Sequence, residues 1–316
     1  MKQEQGGIPI PAALSDRGCV RELNEDRYAA VSCAMGEFWV ICDGMGGVMG
    51  GDLAAQLAVE AIRRAFTGRR YSSSEDAVKR ALEEANRVIV LRRQNPAFVN
   101  MGTTVVAALV SAVDVTVAHA GDSRAYQVSG GGNIRQLTVD HTYVQTLVEQ
   151  GEITQDEALS HPQAHVLTRC LGSEPKLKLD LSKFWLWKGT DSRADTLVLC
   201  SDGLYSLVSD AEIAESIRQH SPQDSCAKLT ELAKTRGGYD NISVVVIPLD
   251  GVLRDYAPEV VQTYARTRDK KDSVVVRARR GRLPIAVRLV LAGSCLFLGA
   301  MVQLALSMAD VMELLK

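Results

Sequence analysis

Four aspartates each stand at the end of an apolar, strand-like run, and that pattern constrains the chain more than any other feature. Asp43 follows EFWVIC and precedes Gly44, and Asp122 follows VAHAG. Asp202 follows TLVLCS and precedes Gly203, and Asp240 precedes NISVVVI. Glu25 and Asp26 form a further acidic pair near the N-terminus. Strand ends gather along one edge of a sheet, so these carboxylates are expected to converge. Converging carboxylates repel one another and lose hydration. A hard divalent cation, Mg²⁺ or Mn²⁺, removes that conflict because it takes carboxylate, carbonyl and water oxygen as ligands. A single Asp–Gly pair is an ordinary turn. Turn chemistry alone does not explain four aspartates, each beside an apolar run.

Arg21, four residues before Glu25, supplies a guanidinium suited to two-point contact with phosphate. Other chemistries are poorly served. His119, His141, His161, His165 and His220 form no H-E-x-x-H motif and no His/Cys cluster along the sequence. The glycine-rich stretch DGMGGVMGG (43–51) lacks the Lys–Ser/Thr ending of a phosphate-binding P-loop. No Cys-x₅-Arg loop is present, which argues against a cysteine nucleophile. The seven cysteines are scattered, with no C-x-x-C pair, as expected of reduced thiols packed in a cytosolic core. Net charge is −2, so the chain as a whole gives no reason to expect nucleic acid as a partner.

Residues 8–249 read as one dense domain of strands and helices. Runs 37–42, 103–110, 113–120, 196–200 and 241–247 are rich in Val, Ile, Leu and aromatics and read as strands. Residues 51–66 and 74–91 carry apolar side chains at helical spacing, the second with a serine at its start. Residues 140–172 are more polar, break the strand pattern and read as a mobile helical insert over a site. The strand pattern resumes at Leu177 and ends near Pro248. Residues 250–288 read as a basic, flexible linker. The uncharged run 289–309 is long enough to cross a bilayer core of roughly 30 Å as a transmembrane helix, followed by a short tail, 310–316. Basic flanks stay on the cytoplasmic side, which predicts a single-pass membrane protein with a cytoplasmic domain.

The segments SDRGCVRELNED (15–26), VICDGMGG (40–47), MGTT (101–104), GDSRAY (121–126), LTVDH (137–141), HPQAHVLTRCLG (161–172), LCSDGL (199–204) and GGYDNISVVV (237–246) occur in that order. In these the chain resembles the PPM, or protein phosphatase 2C, family of metal-dependent serine/threonine phosphatases, in its bacterial branch. The resemblance implies an α+β fold, a four-layer α-β-β-α sandwich of two antiparallel sheets flanked by helices. It implies a monomeric catalytic domain with two tightly held Mn²⁺ or Mg²⁺ ions at one end of the sandwich, and a third, weaker site. By the same resemblance Asp43 bridges both metals and Gly44 gives its carbonyl. Glu25 is a ligand of one metal and Asp26 its close partner, while Asp202 and Asp240 hold the other. Asp122 shares the weak third cation with Asp202, and Arg21 binds phosphate. Residues 140–172 match the family's flap. Eukaryotic members often carry histidine, proposed as the general acid, where this chain has Met45, which donates no proton. The implied reaction is in-line attack of a metal-activated water on the phosphorus of phosphoserine or phosphothreonine proteins, opposing a bacterial serine/threonine kinase. The alternative is a membrane-tethered pseudophosphatase that only binds. It would be signalled by loss of ligand carboxylates, and all of them are present in this sequence.

Overall fold

The computed structural model describes residues 9–46, 50–67, 69–188 and 194–255. In chain order the strands are β1 (Ala12–Asp16), β2 (Asp26–Cys33), β3 (Gly36–Met45), β4 (Gly102–Thr103), β5 (Val105–Val110), β6 (Asp114–Ala120), β7 (Arg124–Val128), β8 (Ile134–Gln136), β9 (Asp180–Trp187), β10 (Thr196–Cys200), β11 (Ile242–Pro248) and β12 (Val252–Asp255). The helices are α1 (Gly50–Phe66), α2 (Ser74–Arg92), α3 (Tyr143–Glu149), α4 (Gln155–Leu159), α5 (Asp202–Tyr205), α6 (Asp210–Gln219) and α7 (Pro222–Thr235). One sheet runs β1-β11-β10-β7-β8; the other runs β12-β9-β6-β5-β3-β2, with β4 paired to β3. Every pairing is antiparallel.

The continuous apolar runs follow from burial on both faces. Successive strand side chains point to opposite sides. In β3, Trp39 and Ile41 face the other sheet, where they meet Leu197, Leu199, Val245 and Ile247. Phe38, Val40 and Cys42 face the opposite way, onto α1 and α2. The second sheet repeats the arrangement, with Val198, Cys200, Val244 and Val246 packed against Ile213, Cys226 and Leu229 of α6 and α7. The result is the expected α-β-β-α sandwich.

Differences from the expected elements are local. The N-cap of α2 is Ser73, whose hydroxyl accepts from the Asp76 backbone N–H. The single run expected at 103–110 is split at Thr104, whose N–H is turned aside to the Asp43 carbonyl at 2.8 Å. The sheet also runs past residue 249. Val252 and Leu253 pair with Trp187 and Leu186 in β12, which lies within the stretch read as linker. A strand of four residues ending in Arg254 and Asp255 is too short to show alternation. No helix of the described residues is long and apolar enough to cross a membrane. The expected span 289–309, the linker beyond residue 255 and the tail 310–316 lie outside the described residues.

Candidate metal centre

The carboxylates converge because the two sheets end together. The β2–β3 register sets Asp26 directly across from Asp43. Asp43 is fixed through its main chain: its carbonyl accepts from the Thr104 N–H at 2.8 Å and the Thr103 hydroxyl at 2.9 Å. Its own N–H donates to the Thr104 hydroxyl at 3.1 Å. From the second sheet come Asp202, the first residue of α5 after β10, and Asp240, just before β11. Asn241 ties the two halves together. Its side-chain oxygen accepts from the Glu25 N–H at 2.7 Å, and its amide donates to the carbonyls of Arg17 and Leu23, each at 2.9 Å.

A cavity of about 450 Å³ opens at this end, and Arg21, Glu25, Asp43, Gly44, Asp122, Asp202 and Asp240 all line it. Asp26 does not. It lies beneath, 1% exposed, and its Oδ2 accepts from the Ser201 hydroxyl at 2.8 Å. Arg21 Nη2 donates to Asp240 Oδ2 at 2.7 Å, and that bond chiefly raises the guanidinium's pKa. The Arg21 side chain stays half exposed at the rim, free to reach a ligand.

The carboxylates carry more negative charge than the nearby cations can neutralise. Burial, followed by repulsion from Asp26 and Asp202, pushes the Asp43 carboxyl well above its ordinary range. Burial and the neighbouring Asp202 push Asp122 up to about 8. Burial likewise lifts Asp26 to about 7, against hydrogen bonds from Ser243 and Ser201. Asp26 Oδ1 and Asp202 Oδ1 are buried with no hydrogen-bond partner among the described residues. Unpartnered buried carboxylate oxygens are costly unless a cation meets them. Gly44 belongs to the same fit: a Cβ there would lie 2.1 Å from the Gly51 carbonyl oxygen, so only glycine lets the two backbone segments come this close. The donor set is all oxygen, as hard divalent cations require.

The fold adds residues that the sequence did not single out as site groups. His165, on the returning leg of the insert, places Nδ1 3.7 Å from Asp202 Oδ2, and that carboxylate raises its pKa. The Thr104 and Ser123 hydroxyls lie 2.7 Å apart beneath Asp43 and Asp122. The histidines, unclustered along the chain, are partly clustered in space. His119 and His141 stack with ring centroids 4.5 Å apart, and with Asp180 they form a group able in principle to hold a metal. A cation is already there, because Arg169 Nη1 donates to Asp180 Oδ1 at 2.7 Å.

An all-oxygen carboxylate nest with an arginine at its rim defines a site for divalent cations and an anionic ligand. The protein phosphatase 2C family profile matches residues 20–235. A serine/threonine phosphatase, stp, of Listeria welshimeri is 32% identical over 240 residues, covering 74% of this chain and 93% of that protein. The serine/threonine protein phosphatase PstP of Mycobacterium tuberculosis is 37% identical over 248 residues, covering 78% of this chain and 45% of that protein. A solved structure of the PstP catalytic domain in complex with two manganese ions superposes with a TM-score of 0.67 at 34% identity, covering 77% of this chain and 99% of that one. The chain belongs to the protein phosphatase 2C family.

Proposed function

We propose that this chain removes phosphate from phosphoserine and phosphothreonine in proteins by metal-dependent hydrolysis. The convergence of Glu25, Asp43, Asp122, Asp202 and Asp240 on one cavity carries this reading. The pseudophosphatase reading is not favoured, since every expected ligand residue lines the cavity or, for Asp26, lies directly beneath it. In the proposed site Asp43 would serve both of two tightly held Mn²⁺ or Mg²⁺ ions. Glu25, with the Gly44 carbonyl and buried Asp26 behind it, serves one side, and Asp202 and Asp240 serve the other. Asp122, sharing Asp202, would take a weaker third ion. When bound, such ions activate water and offset charge on a phosphate ester.

The chain's own residues do the rest. Asn241 and the Thr103–Thr104 contacts fix the carboxylates before substrate arrives, so little reorganisation accompanies reaction. Arg21 binds the phosphate at the rim. Met45 lines the cavity but carries no proton for the leaving oxygen. Arg21→Ala is expected to raise KM by about tenfold or more with a smaller loss in kcat, because a charged hydrogen bond to phosphate is lost in ground and transition states alike. Steady-state kinetics on a phosphothreonine peptide checks this, and an unchanged kcat/KM would remove Arg21 from the site.

The domain is proposed to act at the cytoplasmic face of a membrane, opposite a serine/threonine kinase. The uncharged run 289–309 behind a basic flank supports this placement. The full chain should fractionate with membranes, and truncation before Pro284 should release it. In right-side-out vesicles the catalytic domain should resist external protease. Digestion from outside would reverse the orientation.

A further inference from the structure

Two adjacent residues, Asp140 and His141, grip the segment 121–124 at both ends, with Asp122 between the grips. At one end the Arg124 guanidinium donates to both Asp140 oxygens, Nε to Oδ1 at 3.0 Å and Nη2 to Oδ2 at 2.7 Å. The same guanidinium lies over the Tyr205 ring, 3.7 Å from its centroid. At the other end His141 holds the Gly121 residue twice. Its backbone N–H donates to the Gly121 carbonyl at 2.9 Å, and the Gly121 N–H donates to ring Nδ1 at 3.2 Å.

The second of these bonds sets the ring's tautomer. Nδ1 must offer its lone pair to the Gly121 N–H, so the ring proton sits on Nε2. Nε2 lies 3.2 Å from Asp180 Oδ2, the acceptor that proton needs, and equally 3.2 Å from Arg169 Nη1, a donor that in this tautomer gives its hydrogen to Asp180 rather than to the ring. Asp180 is in turn held by Arg169. His119 stacks on the ring at an interplanar angle of 9° and is itself anchored through Nε2 to the Val139 carbonyl at 2.8 Å. The His141 ring is therefore buried and fixed in direction, and burial lowers its pKa, which keeps it neutral.

Gly121 needs such a grip. Its φ is +119°, and a Cβ there would lie 2.6 Å from the Thr104 side chain. Thr104 is also the residue that fixes the Asp43 main chain. The Gly121 N–H lies in the peptide from Ala120 and its carbonyl in the peptide to Asp122, so holding both sets the Gly121 backbone angles and with them the direction in which Asp122 leaves the turn.

We propose that His141 is a positioning residue for Asp122: its Nδ1 on the Gly121 N–H, acting with its own backbone N–H on the Gly121 carbonyl, fixes the Gly121 backbone and so aims the Asp122 carboxylate into the cavity. The proposal rests on the reading of Asp122 as ligand of a weak third cation. Hydrogen-bonding partners that stand behind a metal's ligands orient them, and losing one such partner typically costs about 10- to 100-fold in metal affinity or activity.

Two replacements separate the ring nitrogens. In His141→Asn the amide oxygen takes the place of Nδ1 and can still accept from the Gly121 N–H. In His141→Gln the amide nitrogen takes the place of Nε2, keeping a donor for Asp180 but leaving the Gly121 N–H without its acceptor. Each full-length variant, and Asp122→Ala beside them, is measured by calorimetric Mn²⁺ titration, by kcat and KM on a phosphothreonine peptide, and by thermal unfolding. His141→Gln is expected to keep the two tight Mn²⁺ sites and KM, but to weaken the third site and lower kcat, each by about tenfold or more. His141→Asn is expected to restore both toward the unmodified protein, and Asp122→Ala to lose the weak site alone. If Asp122→Ala keeps the weak site, the Asp122 reading falls and the positioning role with it. If Asp122→Ala loses that site while His141→Gln keeps it, the positioning role alone is overturned. Equal loss of tight sites and thermal stability in both His141 variants would also overturn it, by showing the ring to be a packing element.

Discussion

Asp43→Asn is expected to lower kcat on phosphopeptides by about a thousandfold or more, equivalent to ~4 kcal/mol of transition-state stabilisation. In the proposed site Asp43 is the carboxylate that both halves would share. Its main chain is held at the end of β3 by Thr103 and Thr104, which fixes the point from which the side chain enters the cavity. Asparagine keeps the shape and the backbone bonds. It removes one negative charge where, in the proposed site, two cations would be held close together, and puts an amide donor against them. Folding should survive, because burial already makes the ionised Asp43 carboxyl costly in the metal-free protein. Near-complete inactivity with an unchanged or raised Tm without metal is therefore the signature. An Asp43→Asn protein with kcat within about tenfold of the unmodified enzyme would remove Asp43 from the centre of the chemistry.

Saturating Mn²⁺ is expected to raise Tm by roughly 10 °C or more near neutral pH. Two sites each filled at 100 times Kd contribute about 2.7 kcal/mol apiece, and 1 kcal/mol moves Tm by about 2–4 °C in a domain of this size. The shift should also depend on pH. In the metal-free protein Asp26 is pushed up to about 7, Asp122 to about 8, and Asp43 upward as well, burial being the first cause in each. In the unfolded chain these carboxyls lose their protons near pH ~4. Between those values the folded state binds more protons than the unfolded state, so stability falls as pH rises. Their stabilising contribution is complete below the unfolded pKa and is lost as pH passes through about 7 to 8. Bound cations favour the ionised ligands and cancel this loss, while acid competes with them. The gap between loaded and metal-free Tm should therefore widen from about pH 6 to about pH 8.5. Calorimetric scans at both pH values check this. A gap that is the same at both would contradict the carboxylate cluster as the metal site.

The centre of the fold was legible because its strands are buried twice over. Runs such as 37–42 and 241–247 are apolar on both faces and need no partner to be recognised. The edges were not. β8 and β12 are short and half polar, and pairing alone makes them strands. The site was legible for a similar reason. Each of Asp43, Asp122, Asp202 and Asp240 adjoins a recognisable run, so strand ends brought them together without any need to know the sheet order. The residues that hold the site still have no such local mark. Asn241 reaches Glu25 across 216 positions, and His141 reaches Asp180 across 39. His165 meets Asp202 only because the insert folds back over the cavity. Those contacts depend on tertiary pairing, which spacing along a sequence does not encode.

Phosphate release from a phosphothreonine peptide by the purified protein, before and after exhaustive chelation, tests the metal-dependent phosphatase reading most directly. Release should require Mn²⁺ or Mg²⁺, stop on chelation and return when Mn²⁺ is restored. Release that persists in the metal-free protein, or inertness on several phosphopeptides at saturating Mn²⁺, would contradict it.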